Sequence, residues 1–211
     1  MTSDALDLPV LQAVRLKGRT TPAALVDTVE ADADADAVGA AVEALVAAGC
    51  LVTGRAVKLT DDGRARLSAL LADERAGVDR DAVAASYATF RTLNAVFKSV
   101  VSDWQLKDGQ PNPHDEADPG NADHDAAVLD RLREVHAAVS PLIAAVAAQV
   151  PRIGWYGEKL RRALARVDAG EHTWVARPII DSYHTVWFEL HEELIGLAGL
   201  TRADEAEAGH A

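Results

Sequence analysis

The stretch LVTGRAVKLTDDGRARLSALL, residues 51–71, holds two short β-prone runs and then a helix start. The runs CLVT and AVKLT flank Gly54-Arg55, a two-residue connection compatible with a primed hairpin turn. Asp61 or Asp62 then starts a helix. Immediately upstream, DAVGAAVEALVAAG predicts a helix with Asp36 as cap and Val38, Val42, Leu45 and Val46 as its apolar face. Gly49 suits the left-handed stop at its end. Further out, LPVLQAVRL reads as a first helix. TTPAALVDTVE reads as a second, with Thr21 as N-cap and Pro22 at the first helical position. The alternating ADADADA is a polar approach to the third.

Helix, helix, helix, hairpin, helix is therefore the order of the N-terminal part, residues 1–76. On LVAAGCLV followed by VKLTDDGRARLSALL, this part resembles the winged helix-turn-helix of MarR-like transcription regulators. The resemblance implies DNA binding by the third helix and the wing, often as a dimer. The third helix departs from that pattern. It and its approach offer Asp32, Asp34, Asp36, Gly39, Ala40, Ala41 and Glu43, none of them a reader of purine edges. Basic residues sit elsewhere: Arg15, Lys17, Arg19, Arg55 and Lys58 are the candidate DNA contacts, through phosphate or the minor groove. Arg64 and Arg66 read as solvated charge. The net charge of −12 opposes non-specific attraction to nucleic acid, so local distribution has to overcome it.

All Phe, Trp and Tyr residues lie between Tyr87 and Phe188. The first part thus packs on aliphatic side chains, and the second has rings suited to a thicker core or a pocket. The boundary falls near residues 72–81, giving a helical effector or dimerisation domain over 79–200 and a frayed tail over 201–211. Val83, Tyr87, Phe90, Asn94, Phe97, Val101 and Trp104 alternate spacings of four and three, a heptad seam with Asn94 as its polar, register-fixing member. KDGQPNPHDEADPGNADHD reads as a solvated acidic loop, with Asp123 or Asp125 capping the next helix. That helix carries Val128, Leu132, Val135, Val139, Leu142 and Val146, and Ser140-Pro141 should kink or restart it. WYGEKLRRALARVDAG is another helix. RPIIDSYHTVWFELHEELIGLAG is the last, with a seam of Ile180, Tyr183, Trp187, Leu190, Leu194 and Leu197.

Beside that seam runs a second ridge of Arg177, Asp181, His184, Phe188, His191 and Ile195. Arg177 with the rings predicts an apolar pocket with one anion anchor, and Tyr87, Trp104, Arg177, His184, Trp187 and His191 are the candidate ligand-binding residues. Trp155 and Trp174 are further candidates to line it. A metal set of Asp181, His184 and His136 faintly resembles the effector domains of GntR-type regulators; half-buried histidines with single partners are the preferred reading. His114, Asp115, Glu116, Asp118, Asp123, His124 and Asp125 lack the spacing of a metal motif. The run DSYHTVWFELHEELIGLAGLTR also resembles helical segments that accompany phosphoenolpyruvate-utilising proteins, without their catalytic histidine motif.

No nucleophile triad, phosphate loop, dinucleotide turn or HExxH pair is present, so the chain does not read as an enzyme, and no cofactor is expected. A single cysteine, Cys50, and the lack of a signal peptide or spanning run point to the cytoplasm. The expected fold is mainly α, an N-terminal winged helix-turn-helix with a small hairpin followed by a helical bundle. The expected function is that of a dimeric MarR-like regulator touching DNA through its wing and sensing a small molecule, with no membrane partner. An interaction adaptor without DNA binding, and a small-ligand or metal-binding accessory to an enzyme, are the alternatives.

Overall fold

The structure, a computed structural model, describes residues 6–18, 20–29, 35–115 and 117–207. The expectations for Arg19, Asp32, Asp34 and Glu116 lie outside these residues. The chain is mainly helical with two small antiparallel hairpins. It divides into two compact units that meet in sequence between Val78 and Asp79.

The first unit comprises α1 (Asp7–Lys17), α2 (Pro22–Val29), α3 (Ala35–Ala47), β1 (Leu51–Val52), β2 (Lys58–Leu59) and α4 (Asp61–Ala76). Its core is aliphatic, built on Leu11, Val14, Leu25, Val38, Leu45 and Leu67, all nearly or fully buried. The Thr21 hydroxyl accepts from the Ala24 amide (3.2 Å) at the start of α2. Asp36 lies within the first turn of α3, which begins two residues earlier than a cap at Asp36 requires. Gly49 ends that helix region with a φ of +75°, a conformation in which glycine has no Cβ to clash.

The hairpin differs from expectation. Leu51 pairs with Leu59 and Val52 with Lys58, so residues 53–57 form the connection and Gly54-Arg55 is not a two-residue turn. Val57 explains the longer connection. It is fully buried, and its amide donates to the Thr20 carbonyl (2.8 Å) in an isolated bridge. Val57 is therefore paired with Thr20, outside the hairpin ladder, and the ladder resumes at Lys58.

Thr60 then joins three pieces. Its hydroxyl caps α4 by accepting from the Gly63 amide (3.0 Å) and donates to the Gly49 carbonyl (2.7 Å). Gly63 is required by close approach, since a Cβ there would sit 1.9 Å from the Cys50 carbonyl oxygen.

The second unit contains α5 (Arg80–Gln105), β3 (Leu106–Lys107), β4 (Gln110–Pro111), α6 (Pro119–Ala147), α7 (Gly154–Asp168), α8 (Tyr183–Leu197) and α9 (Arg202–Glu207). Helices α5, α6, α7 and α8 each pack on the next, and α8 returns to α5, which closes a four-helix ring. All seven residues of the α5 seam are buried. Phe97 stacks on Trp187 (4.4 Å between centroids), as does Phe90 (4.9 Å), so aromatic rings fill the α5–α8 seam. Asn94 accepts from Trp187 Nε1 (2.9 Å), which ties the polar seam position to α8.

Three expectations about this unit are corrected, and of the kink or restart expected at Pro141 only the restart is excluded. Helix α6 starts at Pro119 with Asp118 as its cap, accepting from the Gly120 amide (2.9 Å), and not at Asp123 or Asp125. It runs through Pro141 without restarting. Pro141 and Ala137, whose carbonyl loses its helical donor, are both on exposed residues where water can satisfy that oxygen. Helix α8 begins at Tyr183 with Ser182 as N-cap, six residues later than Arg177. Pro178 disfavours a helical Arg177, and Ile179 has a left-handed φ of 77°. The supposed frayed tail contains α9, whose Glu205 is buried and pairs with Arg91 (3.4 Å). Among the described residues, no helix is long and apolar enough to cross a membrane.

Candidate functional site

Asn94, Phe97 and Val101 point from α5 toward α8 because they share one side of a 3.6-residue repeat. His184, Trp187, Phe188 and His191 recur on α8 at spacings of three, one and three. Between these faces, with Arg202 from the start of α9, lies a cavity of about 340 Å³. Lys98, Ser102 and Gln105 complete its lining.

The polar groups of this cavity are held from behind. Tyr87 Oη and His191 Nε2 lie 3.2 Å apart in a buried pair. Burial, chiefly, lowers the His191 imidazole to about 4, with the Arg202 charge acting in the same direction. Burial also lowers His184. Both rings are thus neutral near neutral pH and offer hydrogen bonds without charge. Burial and then the Glu205 carboxylate raise the Tyr87 hydroxyl, which keeps its proton. Arg202 is fixed by Glu192 at its Nε, and its guanidinium lies 4.4 Å over the Phe188 ring.

Of the expected ligand residues, His184, Trp187 and His191 come together on the cavity and Tyr87 supports His191 from the second layer. Trp104 does not join them. It packs against His114 (4.2 Å) and His172 (5.6 Å) at the hairpin end of α5. Arg177, the expected anion anchor, is exposed in the turn before α8 and does not line the cavity. Trp155 and Trp174 are also elsewhere, each beneath an arginine of α7. Lys98 and Arg202 were missed by sequence reasoning. Lys98 follows a seam residue and carries an available signal, since it stands four after Asn94 on one helix side. Arg202 carries none, because its segment has no apolar periodicity.

The acidic stretch after α5 is exposed at Asp115, Asp118 and Asp123, as a solvated loop is, and departs from that reading at its end. Asp125 is buried and accepts from His114 Nδ1 (2.8 Å) and Asn112 Nδ2 (2.7 Å). Those donors hold its carboxyl below the usual carboxylate range against the opposing effect of burial. His114 adopts a left-handed φ of 51° in doing so. The set Asp181, His184 and His136 is dispersed: His136 Nδ1 pairs with the Tyr183 hydroxyl (3.2 Å), and Asp181 with Lys159 Nζ (3.2 Å). Among the described residues no three His, Cys, Asp or Glu side chains are placed to share a metal ion.

A buried ionic network joining α7 and the turn before it to α8 was also not foreseen. Glu193 receives Arg152 (2.7 Å) and the Tyr156 hydroxyl (3.0 Å), and Lys159 lies 4.0 Å from Glu189. These charges are mutually compensated, as buried ions have to be.

In the first unit, Arg15, Arg55 and Lys58 are exposed, and Lys17 is half-buried. Arg15 Nε donates to Gln12 (2.9 Å). Arg64 is engaged by Asp61 and Arg66 by Asp7 (3.2 Å), so both are already neutralised. On α3 the exposed side chains include Asp36, Ala40, Glu43, Ala44 and Ala47; Ala41, expected on that face, is buried.

The chain matches no protein-family model, no curated protein and no solved structure.

Proposed function

We propose that the chain is a ligand-responsive transcription regulator of the winged-helix type, with duplex contact from the hairpin and a sensing helical unit. The observation that supports the first half is the hairpin itself. It presents exposed Arg55 and Lys58, which have no ion-pair partner among the described residues, while Thr60 and Gly63 lock it against α3 and α4. Arg15 and Lys17 add positive charge at the end of α1. Contacts of this kind grip phosphates and carry little base information. The fit of the helix order to a winged module, with Thr20 and Val57 bridged beside the hairpin, supports the same reading.

The test is a gel-shift titration against the DNA upstream of the chain's own gene, beginning at low salt. Binding should weaken steeply with salt, and Arg55→Ala should reduce the salt slope by about 1. No shift at any salt would remove the DNA-binding half of the reading.

A second reading is favoured by the exposed face of α3. Alanines and two carboxylates cannot read purine edges, but a small, flat helical face suits a protein partner. On that reading the chain is an adaptor.

A further inference from the structure

We propose that α9 is a releasable strap: its charged side chains alone hold it across one end of the cavity between α5 and α8, and it comes away while the four-helix ring stays closed. This goes beyond the functional reading above and does not depend on it.

Nothing apolar anchors α9. Ala203 and Ala206 are exposed, and the one buried residue of the helix is Glu205. A helix of six residues does not persist by itself in water. Its attachment is ionic: Arg91 of α5 pairs with Glu205, and Glu192 of α8 pairs with Arg202, whose guanidinium also lies over the Phe188 ring. Asp204 serves the helix itself, accepting from the amide and the hydroxyl of Thr201 (both 2.7 Å).

The closed arrangement leaves polar atoms short of partners. Arg91 Nε, Arg202 Nη2 and Glu205 Oε2 are buried, and none has a hydrogen-bond partner among the described residues. The 3.4 Å between Arg91 Nε and Glu205 Oε2 gives attraction without hydrogen-bond geometry. Water satisfies all three atoms on release, which puts α9 at the low-stability end of the local openings a fold allows.

The ring does not need α9. The Leu200 amide donates to the Ile195 carbonyl (3.0 Å) and Gly199 turns with a φ of +74°, so α8 ends on its own bonds before α9 begins. Release takes Arg202 off the cavity wall and Glu205 from beside Tyr87. Phe188 and the Tyr87–His191 pair are then uncovered at that end.

The experiment is hydrogen exchange of the full chain, read by mass spectrometry at about 0.1 M and about 1 M sodium chloride. Carbethoxylation of the histidines by diethylpyrocarbonate, an uncharged reagent, is followed in parallel. The salt shortens the reach of a charge from about 10 Å to about 3 Å. Solvent reaches both pairs, since the Arg91 and Arg202 side chains are 29% and 39% exposed. At the higher salt the α9 amides should exchange about threefold faster or more, with those of α5 and α8 unchanged. His191 should be modified faster by a similar factor. Arg91→Glu should release α9 already at the lower salt, and adding Glu205→Arg should restore its protection. Arg202→Gln leaves the Arg91 pair in place and should speed α9 exchange severalfold, which covers the case in which Arg91→Glu disturbs α5. Unprotected α9 amides at the lower salt, or equal exchange at both salts, overturn the strap. Loss of α5 and α8 protection together with that of α9 also overturns it, because the segments then open as one. Faster α9 exchange with unchanged His191 modification overturns its place over the Tyr87–His191 pair.

Discussion

At the scale of single residues, Gly63 shows how a short motif records a packing demand. The glycine between TDD and RARL is one of the residues on which the family resemblance rests, and its reason is steric: the Cys50 carbonyl occupies the place of a side chain. Gly63→Ala forces backbone apart at the junction of hairpin and α4, and should destabilise the first unit by about 3 kcal/mol. Loss of helical ellipticity at a lower temperature would register it; an unchanged melt would mean the junction yields freely. Asn94 was legible in the same way, as a polar interruption of an apolar seam, and its partner is Trp187. Its place on the cavity wall was not legible, because a seam gives spacing along one helix but not what the facing helix leaves unfilled. Arg202 and Arg177 are the converse pair. Ridge spacing favoured Arg177, but a proline and a left-handed isoleucine take it off the helix, and the arginine that does line the cavity comes from a segment with no pattern at all.

Elements were readable where apolar periodicity was long, as in α5 and the middle of α6. They were misread where backbone conformation or charge set the boundary. The 53–57 connection follows from Val57 pairing with Thr20, a contact between residues far apart in sequence. Helix α9 is held by charge, through Arg91 with Glu205 and Arg202 with Glu192. No hydropathy pattern announces such a helix. Its attachment carries a consequence for α8. Removing residues 201–211 strips Arg202 and Glu205 from the surroundings of His191, and should open that ring to water. The His191 proton affinity should then rise from about 4 toward its ordinary 6.5. Histidine ring resonances followed by NMR through an acid titration would measure this. An unmoved His191 titration would show that α9 does not shield it.

For the molecule as a whole, the depressed histidines fix the direction of its acid response. His136, His184 and His191 all lie below their ordinary range in the folded chain, chiefly through burial. The unfolded chain therefore takes up their protons first. Stability is at its full value above pH 6.5, the ordinary value of the group, and is lost as the pH falls from there toward 4. His191 alone should contribute on the order of 2 kcal/mol to that loss. Its neighbours Glu192 and Glu205 oppose the shift and Arg202 and Lys98 favour it. Calorimetric melts across this interval should fall steadily, and His191→Gln should flatten the fall; a parallel decline in both proteins would assign the response to other groups.

The aromatic partition gives the chain a built-in optical label. All four tryptophans lie in the second unit, and the first has neither tryptophan nor tyrosine. Selective excitation of indole is consequently blind to every residue before Asp79, whereas peptide ellipticity sums over both units. Superposing the two signals during denaturation distinguishes joint from separate unfolding, without a probe, a tag or a substitution.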